Sequence, residues 1–258
     1  MIWTTRPRSR TGPIAAISQG KGPPVLLIHG VGLRAEAWAG QIDALATSRQ
    51  VIAVDMPGHG DSAALGPDPT LADYIDAIVA VLDAPATVIG HSFGAMIALA
   101  MAARHPGMVT GVAALNAIYR RSAPAKAAVR ARAHSLDGMT PTDPTVPLMR
   151  WFGADASPEQ AACHTWLTTV DPAGYRAAYA VFADEDGPAD RDLIGLACPA
   201  LFLTGELEPN STPAMSHQMA ALVPDGQTEI VAQAAHMLPM THVAEVNRTL
   251  AAFLARTA

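Results

Sequence analysis

Gly90-His91-Ser92-Phe93-Gly94 reads G-x-S-x-G. The run follows a short apolar stretch, Ala86-Thr87-Val88-Ile89, and opens a pattern from Phe93 to Ala103 that is apolar nearly all round. A serine at such a strand-to-helix corner is held in a strained backbone conformation, and its neighbours must be small where strand and helix nearly touch. The corner presents the Ser92 hydroxyl as a nucleophile. It also leaves the N–H of Phe93 at a helix N-terminus, where it can donate to a developing oxyanion. A second donor is needed, and His29-Gly30-Val31-Gly32 supplies a flexible loop after another apolar run. The N–H of Val31 is the expected partner, with Gly30 and Gly32 as alternatives. His29 reads as a buttress of that loop rather than as a base.

A nucleophilic serine needs a base and a group to orient it. Downstream stand His105, His134, His164, His217, His236 and His242. His236 lies in a short loop, Gln233-Ala234-Ala235-His236-Met237, between the last apolar run and the final helix pattern. That position puts it at the carboxyl edge of a sheet beside the serine; His242, six residues on, is expected inside the helix. The carboxylate should come from the loop before, where Thr204-Gly205-Glu206-Leu207-Glu208-Pro209 offers two. Glu208, farther into the turn, is the expected acid and Glu206 the alternative. The order serine, acid, histidine matches one known arrangement of this triad.

These residues need a scaffold. Val25–Ile28, Val51–Val54, Ala86–Ile89, Val109–Leu115, Ala200–Thr204 and Thr228–Val231 are short runs bounded by Gly, Pro and Asp, the last of them half polar. Helical spacing of apolar residues covers Glu36–Ala46, Leu71–Leu82, Phe93–Ala103, Pro213–Leu222 and Ala244–Leu254. Strict alternation of strand and helix predicts a mostly parallel sheet with helices on both faces. Residues 1–20 add two antiparallel strands hinged at Thr11-Gly12-Pro13. The alternation stops between Tyr119 and Asp192. There an Ala/Arg-rich helix (Ala123 to His134) and a turn cluster (Pro141 to Pro147) precede Trp151, Trp166, Tyr175, Tyr179 and Phe182. The organisation expected is one domain, with core segments 1–118 and 193–258 and a helical lid over 119–192.

Composition narrows the partners. Half of the 258 residues are apolar, 16% are charged and the formal net charge is −6, from 17 basic and 23 acidic residues. An acidic chain lacks the footprint nucleic acid requires. The compact basic run, Arg6, Arg8 and Arg10, reads as a solvated strand edge. Cys163 and Cys198 are isolated, as in packing roles in a reducing compartment. The first residues carry no apolar leader, and no run is long enough to span a membrane; a cytoplasmic protein is expected, with a homodimer an open possibility. No motif calls for a metal or a cofactor.

At this point the sequence resembles the α/β-hydrolase superfamily along essentially its whole length. The matching residues are His29-Gly30 with Trp38, the run Asp55-Met56-Pro57-Gly58-His59-Gly60-Asp61-Ser62, the Gly90–Gly94 corner, the Gly205/Glu208 loop and Ala235-His236. Within it the chain is similar to 3-oxoadipate enol-lactonases and related small esterases, through Arg150-Trp151-Phe152 and Thr169 to Tyr175. The resemblance implies the α/β-hydrolase fold, a cofactor-free mechanism and hydrolysis of a small carboxylic ester or lactone through an acyl-enzyme. It departs at the acid, where aspartate is usual, and at Met237, where hydrolases of carbon–carbon bonds usually carry tryptophan. Cofactor-free C–C cleavage, lyase or perhydrolase chemistry on the same triad is the alternative, and a non-catalytic binding protein a further one. Trp151, Phe152, Trp166, Tyr179 and Phe182 are readable as an apolar roof over substrate or equally as helix-packing core. Arg34 and Arg150 are readable as surface residues or as partners of a substrate carboxylate. His29, Gly30 and Met237 complete the set of candidate substrate contacts; His59 and Asp61 read as structural turn residues.

Overall fold

The computed structural model describes residues 3–257. Eight strands form one sheet: β1 (Ser9–Thr11), β2 (Ile14–Gln19), β3 (Pro24–Ile28), β4 (Gln50–Val54), β5 (Ala86–His91), β6 (Val109–Leu115), β7 (Ala200–Gly205) and β8 (Gly226–Val231). Their order is β1-β2-β4-β3-β5-β6-β7-β8; the β1–β2 and β2–β4 pairings are antiparallel and the other five are parallel. Crossovers are made by α1 (Ala39–Leu45), α2 (Leu71–Val79), α3 (Phe93–Arg104) and α9 (Pro213–Leu222), and the chain closes on α10 (Leu238–Thr241) and α11 (Val243–Leu254).

The apolar runs have no polar face because both faces are covered. Leu26 and Ile28 of β3 point into a core with α2 and α3; Val25 and Leu27, one residue out of phase, pack with Ile42 of α1 and with Val246, Leu250 and Phe253 of α11. Each such side chain contributes roughly 1.5–3 kcal/mol by leaving water. In β8 the outward residues Gln227 and Glu229 are exposed, as suits an edge strand.

Between β6 and β7 lie α4 (Ala123–Ser135), α5 (Thr145–Phe152), α6 (Pro158–Thr169), α7 (Pro172–Asp184) and α8 (Asp190–Ile194). The ends of this stretch are tied together: the Tyr119 hydroxyl donates to Asp190 at 2.6 Å, the Arg120 N–H to the Asp186 carbonyl at 2.7 Å, and the Arg120 guanidinium pairs with Asp190. Its helices reach the sheet through a third apolar cluster in which Leu148, Cys163, Trp166, Leu167 and Tyr175 meet Leu33, Ala37, Met237 and Met240. Among the described residues no helix is long and apolar enough to cross a membrane.

Four local expectations are corrected. The expected helix Glu36–Ala46 is a 3-10 turn, Ala35–Trp38, followed by α1. The Pro141–Pro147 cluster is not all turn, since α5 starts at Thr145; Pro147 falls in its first turn, where a missing N–H costs nothing. His242 caps α11 rather than lying within it. The basic run is not a uniformly solvated edge. Arg10 is exposed, but the Arg8 side chain is only 4% exposed and pairs with Glu36 at 2.6 Å and with Asp55 at 2.6 Å.

Candidate active site

Ser92 joins β5 to α3 with φ 56° and ψ −119°, in the left-handed half of backbone space. For a residue with a Cβ this costs about 1–3 kcal/mol and persists only where the surroundings impose it. They do so here through two glycines: a Cβ on Gly90 would strike the Gly94 carbonyl, and one on Gly94 would strike the Ile28 carbonyl. The Ser92 N–H donates to the Leu115 carbonyl at 2.8 Å, which pins the corner to β6. The N–H of Phe93, first in α3, has no acceptor within its own helix. Its side chain is wholly buried, edge-on to Tyr74 and Phe182.

His236 follows β8, and its Nδ1–H donates to Glu208 Oε2 at 2.7 Å. Glu208 follows β7 and is 2% exposed. Its other oxygen accepts the N–H groups of Asn210 at 2.8 Å and Ser211 at 3.3 Å. Burial alone would raise the pKa of this carboxyl; the adjoining His236 and the two backbone donors outweigh it and hold the group down at about 2. Glu206, the alternative acid, is exposed and instead braces Gln233, accepting its backbone N–H at 2.9 Å. The carbonyl of His236 accepts from His91 Nε2 at 2.8 Å and from Asn116 Nδ2 at 2.6 Å, so this residue is held from behind as well. Among the described residues Ser92 Oγ forms no side-chain hydrogen bond, and His236 is bonded through Nδ1 to Glu208 alone.

The loop after β3 is fixed by two neutral imidazoles. His59 Nε2 accepts the Gly32 N–H at 2.9 Å; His29 Nε2 accepts the Met56 N–H at 2.9 Å while its Nδ1–H donates to the Gly30 carbonyl at 2.7 Å. Burial, first of all, pushes their pKa values down, to about 3 for His29 and about 4 for His59, which keeps both nitrogens available as acceptors. Asp55 ties the same loop to the N-terminal strands, accepting the Ala35 N–H at 2.8 Å and the Arg8 guanidinium at 2.6 Å. Because the Gly32 N–H is engaged by His59, the candidates left for an oxyanion donor are Val31 and Gly30. Gly30 packs directly on the serine: a Cβ added to it would lie 3.1 Å from Ser92 Cβ.

Ser92, His236, Gly30 and Val31 open into one cavity of about 620 Å³, roofed by α4, α5 and α7. Trp151, Tyr175, Tyr179 and Phe182 give it an aromatic wall, and Arg120, Arg121, Arg132 and Arg150 a cationic one. Two of the arginines are neutralised, Arg120 by Asp190 and Arg121 by Asp186, the latter also lying over the Phe182 ring at 4.5 Å. Arg132 donates to the Thr142 hydroxyl at 3.2 Å and lies 5.7 Å from the Tyr179 ring centroid. Among the described residues neither Arg132 nor Arg150 is in salt-bridge contact with a carboxylate, although Asp143 acts on Arg132 at longer range.

A model of the alpha/beta hydrolase family matches residues 25–249. The chain belongs to that family. It is 36% identical to the (E)-2-((N-methylformamido)methylene)succinate hydrolase of Acinetobacter baylyi, over all of both chains. It is 31% identical to the pimeloyl-[acyl-carrier protein] methyl ester esterase of Chromobacterium violaceum, over 91% of this chain and 95% of that one. A malate-bound thermophilic esterase from Thermogutta terrifontis has the same fold, with a TM-score of 0.85, 24% identity and coverage of 98% and 99% of the two chains.

In this alpha/beta hydrolase the residues singled out from sequence divide cleanly. Ser92, His236, Gly30, Val31, Arg150, Trp151 and Tyr179 line the cavity, and Glu208 stands behind His236. Five candidate contacts do not reach it. His29 is sealed inside its loop, Arg34 turns away to Glu36 at 2.9 Å, and Trp166, Met237 and Phe152 pack in or against the third apolar cluster. Sequence reasoning missed Asn116, Arg132 and the Asn210–Ser211 turn. Asn116 had a usable signal, a polar residue just past the carboxyl end of an apolar run; its φ of 53° marks it again in the structure. Arg132, in an Ala/Arg-rich helix, had none.

Proposed function

We propose that the chain hydrolyses the acyl bond of a small ester or lactone that carries carboxylate groups, through a Ser92–His236–Glu208 triad. His236 Nε2 takes the Ser92 proton as Oγ attacks the carbonyl carbon. The N–H groups of Phe93 and Val31 receive the oxyanion. His236 returns the proton to the leaving oxygen, giving an acyl-enzyme, and a water molecule then repeats attack and proton transfer to free Ser92. Glu208 holds Nδ1–H and balances the imidazolium. The observation that carries this reading is the 2.7 Å Glu208–His236 bond behind a strained serine on the floor of the same cavity.

The carboxylate preference rests on the guanidinium groups of Arg132 and Arg150 in the cavity wall, neither of them in direct contact with a carboxylate. A cation facing a cavity without a directly bound counter-ion is a receptor for an anion. The Acinetobacter relative supports the same preference, since the substrate in its name is a succinate, and favours a second scissile bond, an N-acyl bond of the formamido kind. The triad chemistry is the same with nitrogen as the leaving atom.

A fluorophosphonate probe and mass spectrometry test the nucleophile. One adduct on Ser92, absent from Ser92→Ala, is expected; a folded protein that takes up no probe would overturn the acyl-enzyme reading. A panel of neutral, monocarboxylate and dicarboxylate esters and N-acyl enamines then separates the two substrate readings.

A further inference from the structure

Two rings pack on the His236 imidazole. His91 is tilted to it by 54° with centroids 4.9 Å apart; Trp151 lies nearly parallel, at 20° and 5.6 Å. Trp151 belongs to α5, far from the sheet elements that carry the rest of the triad, and α5 is seated through Leu148 in the third apolar cluster. We propose that Trp151 is a positioning residue for the base: its indole face receives the positive charge that His236 acquires when it deprotonates Ser92. This rests on the reading of His236 as general base.

The physical ground is the ring quadrupole. Against a neutral imidazole the stack is ordinary aromatic packing. Once the ring is protonated, its charge lies 5.6 Å from the indole centroid in an offset stack, within the roughly 6 Å at which a cation is attracted to a tryptophan. The contact is therefore stronger in the transition state than in the resting enzyme, the one circumstance in which binding accelerates a chemical step. The other groups facing His236 do not supply this. Glu208, from the loop after β7, meets the ring edge at Nδ1. His91, at the end of β5, is kept neutral by burial. Arg150 of α5 and Arg132 of α4, across the cavity, are cations and oppose the charge.

The test uses two variants. Trp151→Leu keeps an apolar cover over the imidazole and removes the π face; Trp151→Phe keeps a face. The leucine variant is expected to lose about three- to tenfold in kcat. The acidic limb of its kcat/KM profile should move to lower pH by about 0.5–1 unit. The phenylalanine variant should stay within about twofold of the parent. A second measurement needs no turnover. A protonated imidazole quenches indole emission strongly and a neutral one weakly. The emission belonging to Trp151, taken as parent minus Trp151→Phe, should fall as pH is lowered through the acidic limb, and His236→Asn should abolish the fall. A leucine variant whose limb stays in place, or Trp151 emission indifferent to pH, overturns the proposal. Quenching in a protein whose Ser92→Ala variant hydrolyses as fast as the parent sinks the acyl-enzyme reading and leaves the stack standing; hydrolysis through Ser92 without quenching sinks the stack alone.

Discussion

At the scale of single residues, the distinction between Glu206 and Glu208 is the sharpest. They are two positions apart, yet one is sealed against His236 and the other braces a surface loop. Glu208→Gln leaves the shape and loses the charge that holds the imidazole in its tautomer, so kcat should fall on the order of 10³–10⁴-fold. Glu206→Gln should stay within about twofold, because it removes only an exposed contact. Equal losses in steady-state kinetics would overturn the assignment. The extra methylene of glutamate is accommodated by the turn itself: Asn210 and Ser211 reach back to the carboxylate, which sets its distance from His236. That turn is invisible in the sequence beyond its proline. Arg132 and Arg150 lend themselves to the same comparison. Arg150→Met and Arg132→Met should each raise KM for a carboxylate-bearing substrate about 10- to 100-fold while leaving a neutral ester nearly unaffected, as loss of a charge-assisted contact requires. A uniform loss on charged and neutral substrates alike would mean that the arginines support the roof rather than the ligand.

At the scale of elements, the loop after β3 is the one whose order depends on protonation. His29 and His59 are fully buried acceptors, with pKa values lowered from 6.5 to about 3 and about 4. In the unfolded chain the same imidazoles protonate near 6.5. Between those limits the unfolded state holds more protons, so stability rises with pH. It is complete above about pH 6.5 and is lost as the pH falls toward 4. Thermal unfolding followed at pH 7.5, 5.5 and 4.5 should show this slope, and His59→Gln should flatten it; parallel curves for parent and variant would count against the buried-imidazole account. Much of this region could be read in advance. Val25–Ile28 and Val51–Val54 announced their strands because residues buried on both faces leave an unbroken apolar run. The split of the following helix into a 3-10 turn and α1 could not be read, since apolar spacing over so few residues does not separate the two geometries. The burial of Arg8 was hidden for another reason: its partners lie 28 and 47 residues away, and no local pattern encodes an ion pair closed across three elements.

At the scale of the whole molecule, the floor of the site is drawn from the carboxyl ends of β3, β5, β6, β7 and β8, and the roof from a single continuous stretch. The floor was largely legible, because a parallel sheet must deliver such ends to one edge and each carries a polar residue after an apolar run. The roof was legible only as a break in alternation rich in aromatic residues. Which of those aromatics face the cavity depends on how five short helices settle on Leu33, Ala37, Met237 and Met240, and Trp166 and Tyr179 are indistinguishable until they do.

The stitching at the base of that roof has a consequence for descent. Tyr119 and Arg120 bind Asp186 and Asp190, so the stretch leaves the sheet and rejoins it at neighbouring points. A segment closed at its own neck can be replaced as a cassette, with two splice points and no new register to establish in the sheet. Lineages sharing this core can therefore inherit the reaction while exchanging the repertoire of molecules on which it is carried out.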